Sequence, residues 1–122
     1  MNFRFRLKSF RYAFNGIKEA LNSQANLFVH CVATCIVVAM GAYVELNRCE
    51  WMAIVIACGF VWATEIINTS IEYLTDLVSP NYHEKAGKVK DLAAGAVLVA
   101  AITAGIIGLL IFVPHLLALI PS

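Results

Sequence analysis

Apolar positions run almost without interruption through three stretches, roughly 25–46, 51–74 and 92–113. Each is close to the ~20 residues that an α-helix needs to cross about 30 Å of hydrocarbon. Ahead of them the pattern is periodic instead. Phe3, Leu7, Phe10, Phe14, Ile17 and Leu21 recur at steps of three and four, with Arg4, Lys8, Arg11 and Lys18 in an adjoining basic stripe. This predicts a helix over 1–23 of the kind that lies on a membrane surface, its cations near anionic headgroups. The expected architecture is all-α: a single membrane domain over 1–122, built from an amphipathic surface helix and three transmembrane helices. Asn47 to Glu50 reads as a tight connection, so the first two spans should pack antiparallel. The second should end before Ser79-Pro80, because proline disfavours helical geometry in the residue before it. A polar loop over 77–91 is expected to follow. Ala101 with Gly105, and Ala104 with Gly108, stand four apart in the third span, a spacing that permits close helix approach within or between subunits.

Composition closes off the soluble alternative. Of 122 residues 61% are hydrophobic and 14% charged, with a mean hydropathy of +0.77, which leaves too little polar surface for a water-exposed shell. The net charge of +1 is uninformative, but its placement is not. Arg4, Arg6, Lys8, Arg11 and Lys18 precede the first span, and Lys85, Lys88 and Lys90 lie between the second and third; the first connection has only Arg48. By the positive-inside rule the N-terminus and the second loop are cytoplasmic. No cleavable signal is expected, since no short apolar run ends in a small-residue cleavage site. Cys31, Cys35, Cys49 and Cys58 lack C-x-x-C spacing and read as packing residues. His30, near a helix end, reads as hydrogen-bonded structure before it reads as a ligand.

The polar exceptions inside the second span carry the functional signal. Glu65, Asn68, Glu72 and Asp76 fall within an arc of about 80° on a helix and along roughly 16 Å of its axis. Each ionised group in hydrocarbon costs on the order of 2.5 kcal/mol or more, so such a stripe faces a bundle interior, a cation or a polar substrate. If Trp51 marks the outer interface, Glu65 is about 21 Å further along, near the cytoplasmic edge. Just beyond, Tyr82, His83, Glu84, Lys85, Lys88, Lys90 and Asp91 crowd a short segment.

A carboxylate at that depth could take a proton from a hydroxyl, a second could hold a divalent cation, and Asn68 could orient either one. Lys90 could neutralise phosphate oxygens, with Asp91 positioning it. The residues alone leave three classes open: an enzyme acting on a lipid headgroup, a proton- or ion-conducting oligomer, and a non-catalytic polar network between subunits. A Walker A loop, G-x-G-x-x-G and H-E-x-x-H are all absent from the sequence.

The joint pattern Glu65-x-x-Asn68-Thr69-x-Ile71-Glu72-x-x-x-Asp76 and Lys90-Asp91-Leu92-Ala93-Ala94-Gly95, with Ser9 to Ile17 and Asn81-Tyr82-His83, resembles the prokaryotic diacylglycerol kinase family, which includes undecaprenol kinases. The resemblance implies an ATP-dependent lipid kinase of the bacterial inner membrane. It further implies a homotrimer with composite sites at the cytoplasmic interface, Mg2+ as cofactor, ATP and a lipid alcohol as substrates, and no nucleic-acid partner. It assigns Glu65 as catalytic base and Asn68 to the reaction centre. Glu72 becomes a metal and nucleotide ligand, and Tyr12, Asn81, Tyr82, His83, Lys90 and Asp91 become nucleotide contacts. The Ser9–Ile17 and Val89–Val97 stretches look closer to the undecaprenol branch.

One departure stands out. Where the family resemblance implies a second metal-binding glutamate before the first span, this chain has Gln24, which offers a neutral carbonyl oxygen. The arginine expected near Leu27 or Phe28 is missing as well.

Overall fold

The computed structural model describes residues 2–122 and is helical throughout; Met1 of the expected surface helix lies outside the described residues. Four helices follow in order: α1 (Phe3–Ser23), α2 (Ala25–Tyr43), α3 (Arg48–Val78) and α4 (Glu84–Ala118). The last three are long and apolar enough to cross a membrane. α3 packs chiefly on α4, with α2 against α3, while α1 rests more lightly on α2 and α3. Ala20 is the one buried residue of α1, and Phe3, Phe5, Phe10 and Phe14 stand exposed.

Local chemistry explains the boundaries. α2 ends at Tyr43, three residues before the apolar run does. Glu45 has φ 57 and the Leu46 N–H bonds back to Gly41 O at 3.1 Å, the closing bond of a Schellman turn. That fold-back places Leu46 in a cluster with Ile54 and Phe112, flanked by Met40 and Trp51. A methyl group on Gly41 would lie 2.7 Å from Trp51 and 2.9 Å from Leu46, so the approach requires glycine. The expected connection over 47–50 is instead the first turn of α3. Asn47 accepts from the Glu50 N–H and Glu50 accepts from the Asn47 N–H, both at 3.0 Å, a reciprocal cap that satisfies two otherwise orphaned donors. At the same end His115 Nε2 lies 3.0 and 3.1 Å from the two Glu50 carboxylate oxygens, tying α4 to α3.

At the opposite end α3 stops at Val78, before Ser79-Pro80. The polar segment expected as loop over 77–91 is mostly helical, and only Ser79 to His83 connect α3 to α4. His83 starts α4 by accepting the Lys85 N–H on Nδ1 at 3.1 Å. Polarity marked where the chain leaves hydrocarbon, whereas capping decides where the helix begins. Within the single chain the small residues of α4 leave space beside them. Gly105 and Gly108 meet nothing within 4 Å where a Cβ would sit, and with Ala101 and Ala104 they border an apolar groove of about 260 Å³ shared with α2 and α3. His30 borders the same groove, and its carbonyl accepts the Thr34 hydroxyl at 2.7 Å.

Candidate functional site

α3 carries its polar stripe on the face turned inward at the end away from Trp51. Glu65 is 1% exposed and Asn68 7% within a single chain, so burial of both is built into the protomer. Glu65 Oε2 and Asn68 Oδ1 are shielded from solvent without a hydrogen-bond partner. Leaving such a group unpaired costs about 1–3 kcal/mol, a cost in stability that the neighbouring hydroxyls avoid. Thr69 donates to Glu65 O at 3.0 Å and Thr75 to Ile71 O at 2.7 Å.

One turn past Asn68, Glu72 is half-buried and gathers two amides. Gln24 Nε2 donates to Glu72 Oε2 at 3.0 Å, and Asn68 Nδ2 lies 3.5 Å from Oε1, at the outer limit of a hydrogen bond. Gln24 separates α1 from α2, with extended φ and ψ of −127° and 116°; it terminates one helix and begins the next without capping either through its side chain. A second link joins the same elements, the Tyr73 hydroxyl donating to Glu19 Oε1 at 3.0 Å.

Asp76 is exposed at the last turns of α3 and pairs with Lys90 of α4. The pair borders a polar cleft of about 180 Å³ together with Asn81, Tyr82, His83 and Gly87. Tyr82 is 94% exposed above it, and Asn81 accepts the Ser79 hydroxyl on its carbonyl at 3.1 Å. Asp91 lies on a different side of α4, beside Lys88, Leu92 and Gly95. The protomer therefore pairs Lys90 with Asp76 rather than Asp91, because consecutive helical residues diverge by about 100°. Tyr12 is 70% exposed on α1.

Glu65, Asn68, Glu72 and Gln24 thus form one chain of contacts or near neighbours, and Asp76, Asn81, Tyr82, His83 and Lys90 a second group beyond it. Sequence reasoning missed the Asp76–Lys90 pairing, the Glu19–Tyr73 link and the Glu50–His115 contact. Only the Asn47-x-x-Glu50 cap had a local signal, its spacing being that of a capping box. Among the described residues, no three His, Cys, Asp or Glu side chains converge as a metal cage. Glu72 faces the amide nitrogens of Gln24 and Asn68; turned to present their oxygens instead, the two amides with this one carboxylate would fit Mg2+, which takes one or two carboxylates and completes its shell with water and phosphate oxygens.

The chain is similar to known proteins over most of its length. The sequence profile described as prokaryotic diacylglycerol kinase matches residues 11–112. The undecaprenol kinase of Bacillus subtilis (strain 168) is 44% identical over 109 residues, 89% of each chain. The diacylglycerol kinase of Synechocystis sp. is 38% identical over 114 residues, 93% of this chain and 65% of the relative, and that of Escherichia coli (strain K12) is 28% identical over 98 residues, 80% of each. Every side chain of the polar groups above lies inside the matched region, and the buried carboxylate, the amides around Glu72 and the lysine of the outer cleft fall together within it: the chain belongs to the prokaryotic diacylglycerol kinase family.

Proposed function

We infer that this protein is a lipid kinase that transfers the γ-phosphate of ATP to the hydroxyl of a membrane lipid at the cytoplasmic face of the bacterial inner membrane, working as a homotrimer. The observation that carries the reading is the buried, unpartnered Glu65 Oε2 beside the unpartnered Asn68 Oδ1. A buried acceptor without a donor suits a substrate hydroxyl that brings its own proton. The hydroxyl oxygen attacks the γ-phosphorus, the bond to the β–γ bridging oxygen breaks, and ADP leaves. The hydroxyl proton passes to Glu65, and Asn68 orients the hydroxyl.

Glu72, with the carbonyl oxygen of Gln24, would hold Mg2+, which supplies charge neutralisation for the β- and γ-phosphates. Lys90 exchanges its bond to Asp76 for phosphate oxygens, and Asn81, Tyr82 and His83 flank the nucleotide in the cleft they border. Tyr12 and Asp91 do not line that cleft, and the proposed trimer gives them a nucleotide to contact across a subunit boundary. An ion-conducting oligomer is the weaker reading, since the buried face of α3 beyond Glu65 continues as Val61, Ala57 and Ile54 and offers no polar path onward.

The lipid is undecaprenol in preference to diacylglycerol, a ranking supported by the relative named undecaprenol kinase at 44% identity over 89% of both chains. A small difference in apolar contact is worth only about 1–3 kcal/mol, so activity on both lipids is expected. Purified protein should transfer labelled γ-phosphate to undecaprenol in a bilayer with the higher kcat/KM. Transfer to neither lipid would overturn the kinase reading, and a preference for diacylglycerol would reverse only the ranking.

A further inference from the structure

α1 is an arm held at one end. Its 21 residues make a rod of about 31 Å, joined to α2 through the single extended residue Gln24, and Ala20 alone of the rod is buried. Phe3, Leu7, Phe10, Phe14, Ile17 and Leu21 occupy an arc of about 80° on it. An apolar arc of that kind turns toward lipid and so fixes the roll of the helix. It does not fix the direction in which the arm points across the membrane surface.

One side chain supplies what the arc does not. The Tyr73 hydroxyl of α3 donates to Glu19 Oε1 of α1 at 3.0 Å. Glu19 lies about 160° from the centre of the apolar arc, so with the arc turned to the bilayer its carboxylate is on the side facing water. Tyr73 reaches it there. It stands 22 positions beyond Trp51, about 33 Å along α3 against about 30 Å of hydrocarbon.

The bond acts close to the pivot. Glu19 is five positions from Gln24 and Tyr12 is twelve, about 8 Å and about 18 Å along the axis, and both fall on one face because seven residues return a helix to within about 20°. A sideways displacement at Glu19 is therefore more than doubled at Tyr12.

We propose that Tyr73 is a positioning residue whose hydrogen bond to Glu19 stops α1 from swinging across the membrane surface and thereby sets the place of Tyr12. The clasp stands on the geometry alone; its bearing on the nucleotide rests on the kinase reading, in which Tyr12 contacts ATP. Tyr73 acts only through α1, so its loss weakens the capture of ATP and leaves the chemical step alone.

The test joins a distance to a kinetic split. Spin labels at Lys8→Cys and Ser70→Cys, both exposed positions, are placed in a background with Cys31, Cys35, Cys49 and Cys58 replaced, and diluted with unlabelled protein in bilayers so that only pairs within one chain are read. The distribution should be narrow with Tyr73 and Glu19 present, and narrow also in Glu19→Gln, whose amide oxygen still accepts the phenol proton. Tyr73→Phe and Glu19→Ala should each broaden it, and the double variant should be no broader than either. Tyr73 is 47% exposed, so removing its hydroxyl opens no cavity. In unlabelled protein the same two substitutions should raise the KM for ATP by about two- to tenfold, the effect of one lost hydrogen bond, with kcat unchanged, and Glu19→Gln should match the unaltered chain. A narrow distribution in Tyr73→Phe would overturn the clasp, and a Glu19→Gln distribution as broad as that of Glu19→Ala would overturn the hydrogen bond as its cause. A broadened distribution with an unaltered KM would overturn the positioning of Tyr12. Absence of phosphate transfer by the unaltered protein would count against the kinase reading instead, and the distance measurement decides the clasp in either case.

Discussion

Lys90 on α4 reaches across to Asp76 on α3 and not to Asp91 beside it in sequence. The two helices are thereby tied just outside the buried stretch that holds Glu65, at the rim of the polar cleft. Both side chains are largely open to solvent, so the pair contributes about 0–1 kcal/mol to stability. Its value lies in where it parks an ammonium group.

Lys90→Met is therefore expected to leave the unfolding midpoint nearly unchanged while raising the KM for ATP by about tenfold, the loss of one phosphate contact worth about 1.4 kcal/mol. Asp76→Asn should alter both quantities much less. Steady-state kinetics with thermal unfolding of each variant checks the division; equal effects of the two substitutions on KM would assign Asp76 a direct nucleotide contact.

Glu65 should show opposed effects on activity and stability. Glu65→Gln removes the proton acceptor and is expected to lower kcat by about 10²- to 10⁴-fold without disturbing assembly. Glu65→Leu should be equally inactive yet more stable, by about 1–3 kcal/mol, because it removes a buried oxygen that has no partner. Most of the wild-type kcat surviving in Glu65→Gln would remove Glu65 from the role of base.

Magnesium dependence separates Glu72 from Glu65. Glu72→Gln is expected to raise the Mg2+ concentration for half-maximal activity, and Gln24→Glu to lower it, since a second carboxylate tightens a site for a hard cation. Titration of Mg2+ at saturating ATP measures both. Identical Mg2+ curves for Glu65→Gln and Glu72→Gln would cancel the distinction drawn between them.

Orientation is tested at Lys85, in the first turn of α4. A cysteine there, in a background without native cysteines, should react with an impermeant reagent only from the cytoplasmic side. Labelling from outside would put the cleft away from ATP.

Gly41 has no spare room at the other end of the bundle. Gly41→Ala drives a methyl into Trp51 and Leu46 and should destabilise the protein by about 1–3 kcal/mol, read as a fall in unfolding midpoint, with kcat retained because the residues proposed for phosphate transfer lie two or more turns further along α3 than this contact.

The number and order of the helices long enough to span were legible because hydrocarbon demands long apolar runs, and the stripe from Glu65 to Asp76 was legible because helical geometry turns spacing into a shared face. The start of α4 was not, since hydropathy reports the membrane edge and a helix can continue past it; His83 as a cap was the clue, read only as a candidate ligand. Partners far apart in sequence, Gln24 with Glu72 and Glu50 with His115, carry no local signature at all. Gln24 drew notice as a departure from the family, but its use as a donor to Glu72 emerged only from the packing of three helices around one carboxylate.

The 31 residues of α3 extend about 46 Å, against a hydrocarbon layer of about 30 Å. A rod longer than the slab it crosses can sink or rise, and tilt is how such a mismatch is absorbed. On the kinase reading, the height of Glu65 relative to the headgroups is then set jointly by the protein and by the acyl length of the surrounding lipid. On that reading membrane thickness would act on phosphate transfer through this height, a thicker bilayer setting the carboxylate deeper and a thinner one setting it nearer the headgroups.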